Sequence, residues 1–167
     1  MRNHAGWKLW TAVAVVVATA AVTQAARRKT PEVAKVKATV ASELVKASEP
    51  VTLTVAVAID EGWHVNSNAP ELDYLIPTRL ALADEAPFEL GDVSYPKGHK
   101  RELKSMEKPI TLYEGKFDVT ADLKLRAGTD PGLQVIEGYL RYQACNDTTC
   151  LRPKKAKFSV PVTVAAE

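Results

Sequence analysis

Strict alternation of apolar and polar residues is the feature that most constrains how this chain folds. Between residues 51 and 59 every odd position is aliphatic, whereas Thr52 and Thr54 lie at even positions. Residues 117–125 and 158–164 repeat the pattern, with mostly polar or charged residues between the apolar ones. Because successive side chains of a β-strand point to opposite faces, this alternation predicts strands with one face buried.

Weaker strand candidates accompany these three, and turn sequences such as Asp60-Glu61-Gly62 separate them. The weaker candidates cover residues 33–40, 63–66, 78–82, 88–93 and 133–144. Seven or eight strands with short connections and no convincing helical period predict an all-β fold, an immunoglobulin-like antiparallel β-sandwich. Pro161 lies in the last strand and has no N–H to donate, which predicts a sheet edge or a bulge there.

The first 25 residues have the layout of a secretory signal peptide. Arg2 and Lys8 precede an apolar run at residues 9–22, which is followed by Thr23-Gln24-Ala25. A helix that spans a bilayer needs roughly twenty residues. We therefore expect cleavage after Ala25 and a periplasmic location, with a retained N-terminal membrane anchor as the alternative. Residues 26–167 are then expected to form a single domain.

The charge balance gives no basis for a nucleic-acid partner. The chain contains 22 basic and 20 acidic residues, and removal of Arg2 and Lys8 with the signal peptide leaves 20 of each. Nucleic-acid-binding domains usually have an excess of positive charge. We expect a monomeric domain with no nucleic-acid partner.

The two cysteines, Cys145 and Cys150, lie where one strand ends and the next begins. Four intervening residues at a strand reversal allow a disulfide, and export makes its oxidation plausible. A ring this small constrains the unfolded chain by only roughly 2 kcal/mol, so a structural and a redox-active bridge both stay open. A metal site that adds His64 and His99 is a third alternative.

Basic residues lie close to this pair in the sequence. Arg152, Lys154, Lys155 and Lys157 follow Cys150, and residues 97–108 contain more basic than acidic residues. Nearby cations favour a thiolate. If both segments lie beside the cysteines, they form a basic rim that steers acidic partners.

Two strings in this sequence resemble the family of the N-terminal periplasmic domain of DsbD, a thiol:disulfide interchange reductase. One string is Tyr142-Gln143-Ala144-Cys145 followed by Cys150-Leu151-Arg152-Pro153. The other runs from Gly62-Trp63-His64-Val65-Asn66 through Pro70 to Leu75-Ile76-Pro77-Thr78. The similarity covers roughly residues 36–164, which is nearly the whole expected mature chain.

The resemblance implies an immunoglobulin-like fold and the role of an electron courier, with Cys145 and Cys150 as the catalytic pair. It implies no cofactor and no metal. Electrons would come from a membrane-embedded donor and pass to periplasmic thioredoxin-like proteins, in processes such as cytochrome c biogenesis. Whether this makes the protein an enzyme, a protein-disulfide reductase, is left open. The alternatives are an exported binding module with a structural disulfide and a Cys/His metal-binding domain.

The sequence departs from the family pattern in two ways. The chain stops at Glu167 without the transmembrane and thioredoxin-like domains of full-length DsbD, so we expect the membrane donor to be a separate protein or the chain to act on different client proteins. The family's cap loop, which shields the cysteines with an aromatic residue, corresponds to residues 98–109, and no aromatic residue occurs there. We expect Leu103 or Met106 to cover the pair less completely, or the site to be open.

Overall fold

A computed structural model describes residues 31–46, 49–103 and 106–166. The predicted signal peptide, residues 1–25, lies outside the described residues. The described part of the chain contains strands and turns, and it contains no helix long and apolar enough to cross a membrane. Its strands are β1 (Ala34–Val40), β2 (Leu44–Val45), β3 (Val51–Ile59), β4 (His64–Asn66), β5 (Arg79–Leu82), β6 (Phe88–Ser94), β7 (His99–Arg101), β8 (Ile110–Tyr113), β9 (Lys116–Leu125), β10 (Gly132–Tyr142), β11 (Ala144–Cys145) and β12 (Lys154–Val164).

The strands form three four-stranded sheets. The first has the order β1-β3-β9-β6, the second β2-β12-β10-β5 and the third β11-β4-β8-β7. All pairings between these strands are antiparallel except the short parallel contact of β2 with β12. The prediction of an all-β antiparallel sandwich is confirmed.

The main hydrophobic core is built from the alternating residues of the first and second sheets. Leu53 and Val55 on β3 are fully buried, and so are Leu123 on β9 and Ile136 and Leu140 on β10. Each side chain of this kind contributes about 1.5–3 kcal/mol relative to an exposed one. The period-two pattern of the sequence therefore predicts the inward faces of the long strands correctly.

Pro161 lies on the part of β12 where the second sheet has a free edge. It stands opposite Val135 of β10 in an unbroken register. The Thr163 N–H, two residues further on, points away from β10 and donates to the Glu43 carbonyl oxygen at 2.7 Å. The ring nitrogen of Pro161 faces that same edge, which β2 does not reach. The edge prediction for this residue is confirmed, because no ladder hydrogen bond is lost there.

The third sheet lies where β10 ends and consists of short strands. β11 begins two residues after Tyr142, and Ala144 pairs with Val65 of β4. Val65 in turn pairs with Tyr113 of β8. Because Val65, Tyr113 and Ala144 are buried in the main core, this small sheet is anchored to the sandwich. It thereby fixes the position of Cys145, the last residue of β11.

Candidate redox site

Cys145 and Cys150 form a disulfide across a tight reversal of the chain. Their Cα atoms are 4.0 Å apart, and the two residues stand opposite each other in an isolated antiparallel bridge. Backbone hydrogen bonds lie on either side, from Asn146 N–H to the Thr149 oxygen at 2.9 Å and from Leu151 N–H to the Ala144 oxygen at 2.8 Å. The cysteines thus occupy a non-hydrogen-bonded position, where opposing side chains come closest.

Asn146 and Gln143 hold the reversal in place through side-chain hydrogen bonds. The Asn146 Oδ1 accepts from the backbone N–H of Thr148 at 3.0 Å and from that of Thr149 at 2.8 Å. This is the Asx-turn geometry for which asparagine is favoured. The Gln143 Nε2 donates to the Leu151 oxygen at 3.1 Å. The turn therefore has its own hydrogen-bonded support besides the disulfide.

The two cysteines differ in accessibility. Cys145 is only 4% exposed, because β11 is covered by the core and by β4. Cys150 lies on the outer side of the reversal and is exposed. A large partner can therefore approach Cys150 far more readily than Cys145.

His64 lies next to Cys145. The two residues are direct partners in the antiparallel register of β4 and β11, so their side chains project from the same face of the third sheet. His64 is 2% exposed. Burial lowers the pKa of His64 although Glu114 and Asp147 favour the protonated form, and the positive charge of Arg101 lowers this pKa further. The imidazole beside the disulfide is therefore neutral at neutral pH.

A charged group from another strand reaches the cysteine turn. Arg101, at the end of β7, donates a hydrogen bond from its guanidinium to the carboxylate of Glu114. Another nitrogen of the same guanidinium lies 3.8 Å from the carboxylate of Asp147, a residue of the turn between the two cysteines. Exposed pairs of this kind contribute at most about 1 kcal/mol. The contact nevertheless places the end of β7 against the turn, and no local pattern in the sequence predicts it.

The apolar residues of the predicted cap segment lie elsewhere. Leu103 and Met106 pack against Leu75, Ile110 and Leu112 in a second, smaller hydrophobic cluster. Both residues pack in this cluster, and the exposure of Cys150 favours the other expected alternative, an open site. The segment instead contacts the cysteine turn through the charge of Arg101.

Tyr142 and Gln143 belong to the first family-like string, and His99 was a candidate metal ligand. Tyr142 is buried in the main core, whereas Gln143 supports the turn. His99 is exposed on β7 and pairs with Leu112, so it lies two strands away from His64. In the part of the chain that the structure describes, no group of three His, Cys, Asp or Glu side chains is placed to hold a metal ion.

Comparison with known protein families gives one match that covers most of the chain. The family model described as "Thiol:disulfide interchange protein DsbD, N-terminal" matches residues 19–161. No curated protein sequence matches this chain.

Two solved structures resemble the fold. The N-terminal periplasmic domain of ScsB from Proteus mirabilis aligns with a TM-score of 0.54 and 15% sequence identity, over 80% of this chain and 47% of that one. The present chain thus spans about half the length of the ScsB domain. The N-terminal domain of Neisseria meningitidis DsbD in the reduced form aligns with a TM-score of 0.46 and 19% identity, over 66% of this chain and 77% of that one. The fold is immunoglobulin-like, as predicted.

Proposed function

Because this chain belongs to the family of the DsbD N-terminal domain, a family of thiol:disulfide interchange, we propose that Cys145 and Cys150 form its redox-active pair. In this role the reduced pair passes two electrons to the disulfide of a partner protein. The observation that carries the proposal is the bridge itself, with its exposed Cys150 and buried Cys145.

The exchange proceeds in two displacement steps. The Cys150 thiolate attacks one sulfur of the partner's disulfide, which forms a mixed disulfide and releases the other partner sulfur as a thiolate. The Cys145 thiolate then attacks the Cys150 sulfur, which closes the bridge here and releases the second partner thiolate. Two electrons and, after protonation of the partner thiolates, two protons have moved to the partner. This order follows the accessibility of the two residues, since the first step requires contact with a bulky protein.

His64 supports the second step. The reduced Cys145 thiol must lose its proton before it attacks, and the neutral imidazole beside it is an acceptor for that proton. Burial lowers the pKa of His64 and thereby keeps the imidazole available in the neutral form. The backbone pairing of His64 with Cys145 holds the two side chains together.

We also propose the periplasm as the location and a signal peptide at residues 1–25. The aligned ScsB domain is described as periplasmic. The proposed electron donor is a membrane-embedded protein, and the recipients are thioredoxin-like proteins, which is the partner class that the family implies. Cytochrome c biogenesis is one process that such recipients serve. The prediction of a monomer is kept.

A purely structural disulfide is less well supported. The hydrogen bonds of Asn146 and Gln143 already fix the turn. Closing so short a loop adds only roughly 2 kcal/mol in the chain-entropy model, and the long strands bury an extensive apolar core. The protein therefore has little need of this bridge for folding.

The reduction potential of the Cys145/Cys150 couple separates these two functions. We expect the protein, equilibrated in buffers of defined thiol/disulfide ratio, to show a potential well above about −300 mV, the level below which secreted structural disulfides usually lie. Free thiols are counted after acid quenching and alkylation. A potential far below that level identifies the bridge as a structural disulfide and rules out the proposed exchange.

A further inference from the structure

The exposed face of the second sheet carries a cluster of cations near the disulfide. In the register of β5, β10 and β12, Arg141 is the direct partner of both Arg79 and Lys155. Two residues away along β10, and therefore on the same face, Tyr139 is the partner of Lys157. These residues alternate along their strands with the buried core residues, so they project from the outer face of the sheet. We call Arg79, Arg141, Lys155 and Lys157 the basic face.

The positive charges of the basic face are not neutralised by neighbouring acids. Within residues 31–46, 49–103 and 106–166, none of its four cations forms an ion pair, whereas Lys35, Lys46, Arg101 and Arg126 each do. The Lys155 ammonium lies 3.9 Å from the centre of the Tyr139 ring, a cation–π contact that leaves its charge unpaired.

The arrangement costs stability when the protein is alone. Like charges that stand directly opposite on neighbouring strands repel each other, and the row through Arg79, Arg141 and Lys155 consists only of such charges. Two acids, Asp84 and Glu137, line the same groove as Lys155 and Lys157, but within the described residues neither forms an ion pair with these lysines. An acidic surface on another molecule would relieve the repulsion.

The basic face is close enough to the disulfide to share one interface with it. A strand advances about 3.3 Å per residue, so the four residues from Arg141 to Cys145 span at most about 13 Å. An ordinary protein–protein interface covers about 800 Å² on each partner, a patch roughly 30 Å across. An interface that contains Cys150 is therefore large enough to include Arg141.

We propose that the basic face is the docking surface for the redox partner, and that this partner is a thioredoxin-like protein with carboxylates beside its reacting cysteines. This inference rests on the proposed exchange function. Complementary charge accelerates the encounter of two proteins and sets their orientation, but it does not alter the thiol chemistry. The surface differs from the rim expected from the sequence, since Arg79 and Arg141 belong to it and Arg101 is paired with Glu114 and Asp147.

Two triple variants with equal loss of charge test this surface. The first, Arg79→Gln, Arg141→Gln and Lys157→Gln, removes three charges of the basic face. The control, Lys37→Gln, Lys116→Gln and Lys124→Gln, removes three exposed charges from β1 and β9 of the first sheet. Circular dichroism checks that both variants are folded.

The rate of exchange is measured for the reduced proteins with three probes. One is a thioredoxin-fold protein with acidic residues around its Cys-X-X-Cys disulfide, and the second is the same protein with those acids changed to amides. The third, bis(2-hydroxyethyl) disulfide, is small and uncharged. With the acidic probe at low salt, we expect the first triple variant to react about 10-fold more slowly than the unmodified protein, and the control less than about 2-fold more slowly. Added salt and the amide probe should both remove the difference.

Several results would overturn the docking surface. Equal slowing by both triple variants means that only net charge matters, and a rate that does not depend on salt excludes steering. If the first triple variant also reacts more slowly with bis(2-hydroxyethyl) disulfide, and by the same factor, the substitutions have changed the reactivity of the cysteines and not the docking of a partner. If the unmodified protein binds phosphatidylglycerol vesicles and the first triple variant does not, while both exchange disulfides at the same rate, the basic face is a membrane-binding surface. If the unmodified protein reacts with none of the probes, the proposed exchange function itself is wrong and the docking surface falls with it.

Discussion

Replacing Cys145 by serine is expected to convert the protein into a covalent trap for its partner. The exposed Cys150 then still attacks, but no second thiol is left to resolve the mixed disulfide. A suitable probe is a thioredoxin-fold protein with a single active-site cysteine, activated as a mixed disulfide with thionitrobenzoate. We expect stoichiometric release of the coloured thionitrobenzoate and a stable one-to-one adduct on non-reducing gels. The unmodified protein should form this adduct only transiently, because Cys145 resolves it.

The reciprocal variant, Cys150→Ser, is the matched control. Cys145 is 4% exposed, so its thiol is poorly accessible to a protein probe, and accessible thiolates are the ones that react. We expect adduct formation at least about 10-fold slower than with Cys145→Ser. Equal rates for the two variants, or a faster reaction through Cys145, would show that the order of attack proposed above is wrong.

Replacing Leu140 by alanine is expected to lower the free energy of unfolding by about 2–5 kcal/mol. Leu140 lies on β10 with a fully buried side chain, between residues of both main sheets. Its truncation removes apolar contacts and leaves a cavity that close-packed neighbours fill only in part. Urea denaturation of the oxidised protein, followed by circular dichroism, measures the change.

Leu133→Ala is the control on the same strand. Leu133 faces outward and is 74% exposed, so its replacement should change the free energy of unfolding by no more than about 0.5 kcal/mol. A shift of β10 by one residue would exchange the two faces of the strand. A large loss of stability with Leu133→Ala and a small one with Leu140→Ala would therefore contradict the register described here.

The long strands were predictable because the alternation of apolar and polar residues along each one shows which of its residues are buried. In β3, every second residue from Val51 to Ile59 is buried, and the same period identifies β9 and β12. The strands of the third sheet are two to four residues long, too short to display a period. These strands form only by pairing with segments that are distant in sequence, as His64 does with Cys145. A local sequence pattern does not predict such pairing.

The candidate site likewise combines features that the local sequence predicts with contacts between distant segments that it does not predict. Cys145 and Cys150 are close in sequence at a strand reversal, so their pairing was predictable from local geometry. The contact of Arg101 with Asp147 joins distant segments and depends on the order of strands in the third sheet. Leu103 and Met106 were expected near the disulfide because they are the apolar residues of the segment that corresponds to the family's cap loop, but they pack in a second hydrophobic cluster. Apolar character predicts burial without specifying its location.

The basic face was only partly visible in the sequence for a related reason. Lys155 and Lys157 follow Cys150 closely and were noted as nearby cations. Arg79 joins them only through the pairing of β5 with β10, and Arg141 only through the register of β10 with both neighbours. A register between strands that are far apart in sequence is set by the packing of the whole sandwich.

Direct transfer of reducing equivalents is the most immediate test of the redox role of Cys145 and Cys150. The reduced protein is mixed with an equal amount of an oxidised thioredoxin-fold probe, samples are quenched with acid, and free thiols on each protein are alkylated and counted by mass spectrometry. We predict that the Cys145 and Cys150 thiols disappear at the rate at which two thiols form on the probe, in a one-to-one ratio. If both proteins keep their initial redox states while a small dithiol reduces the same probe, the pair does not exchange with thioredoxin-like partners and the proposed function is contradicted.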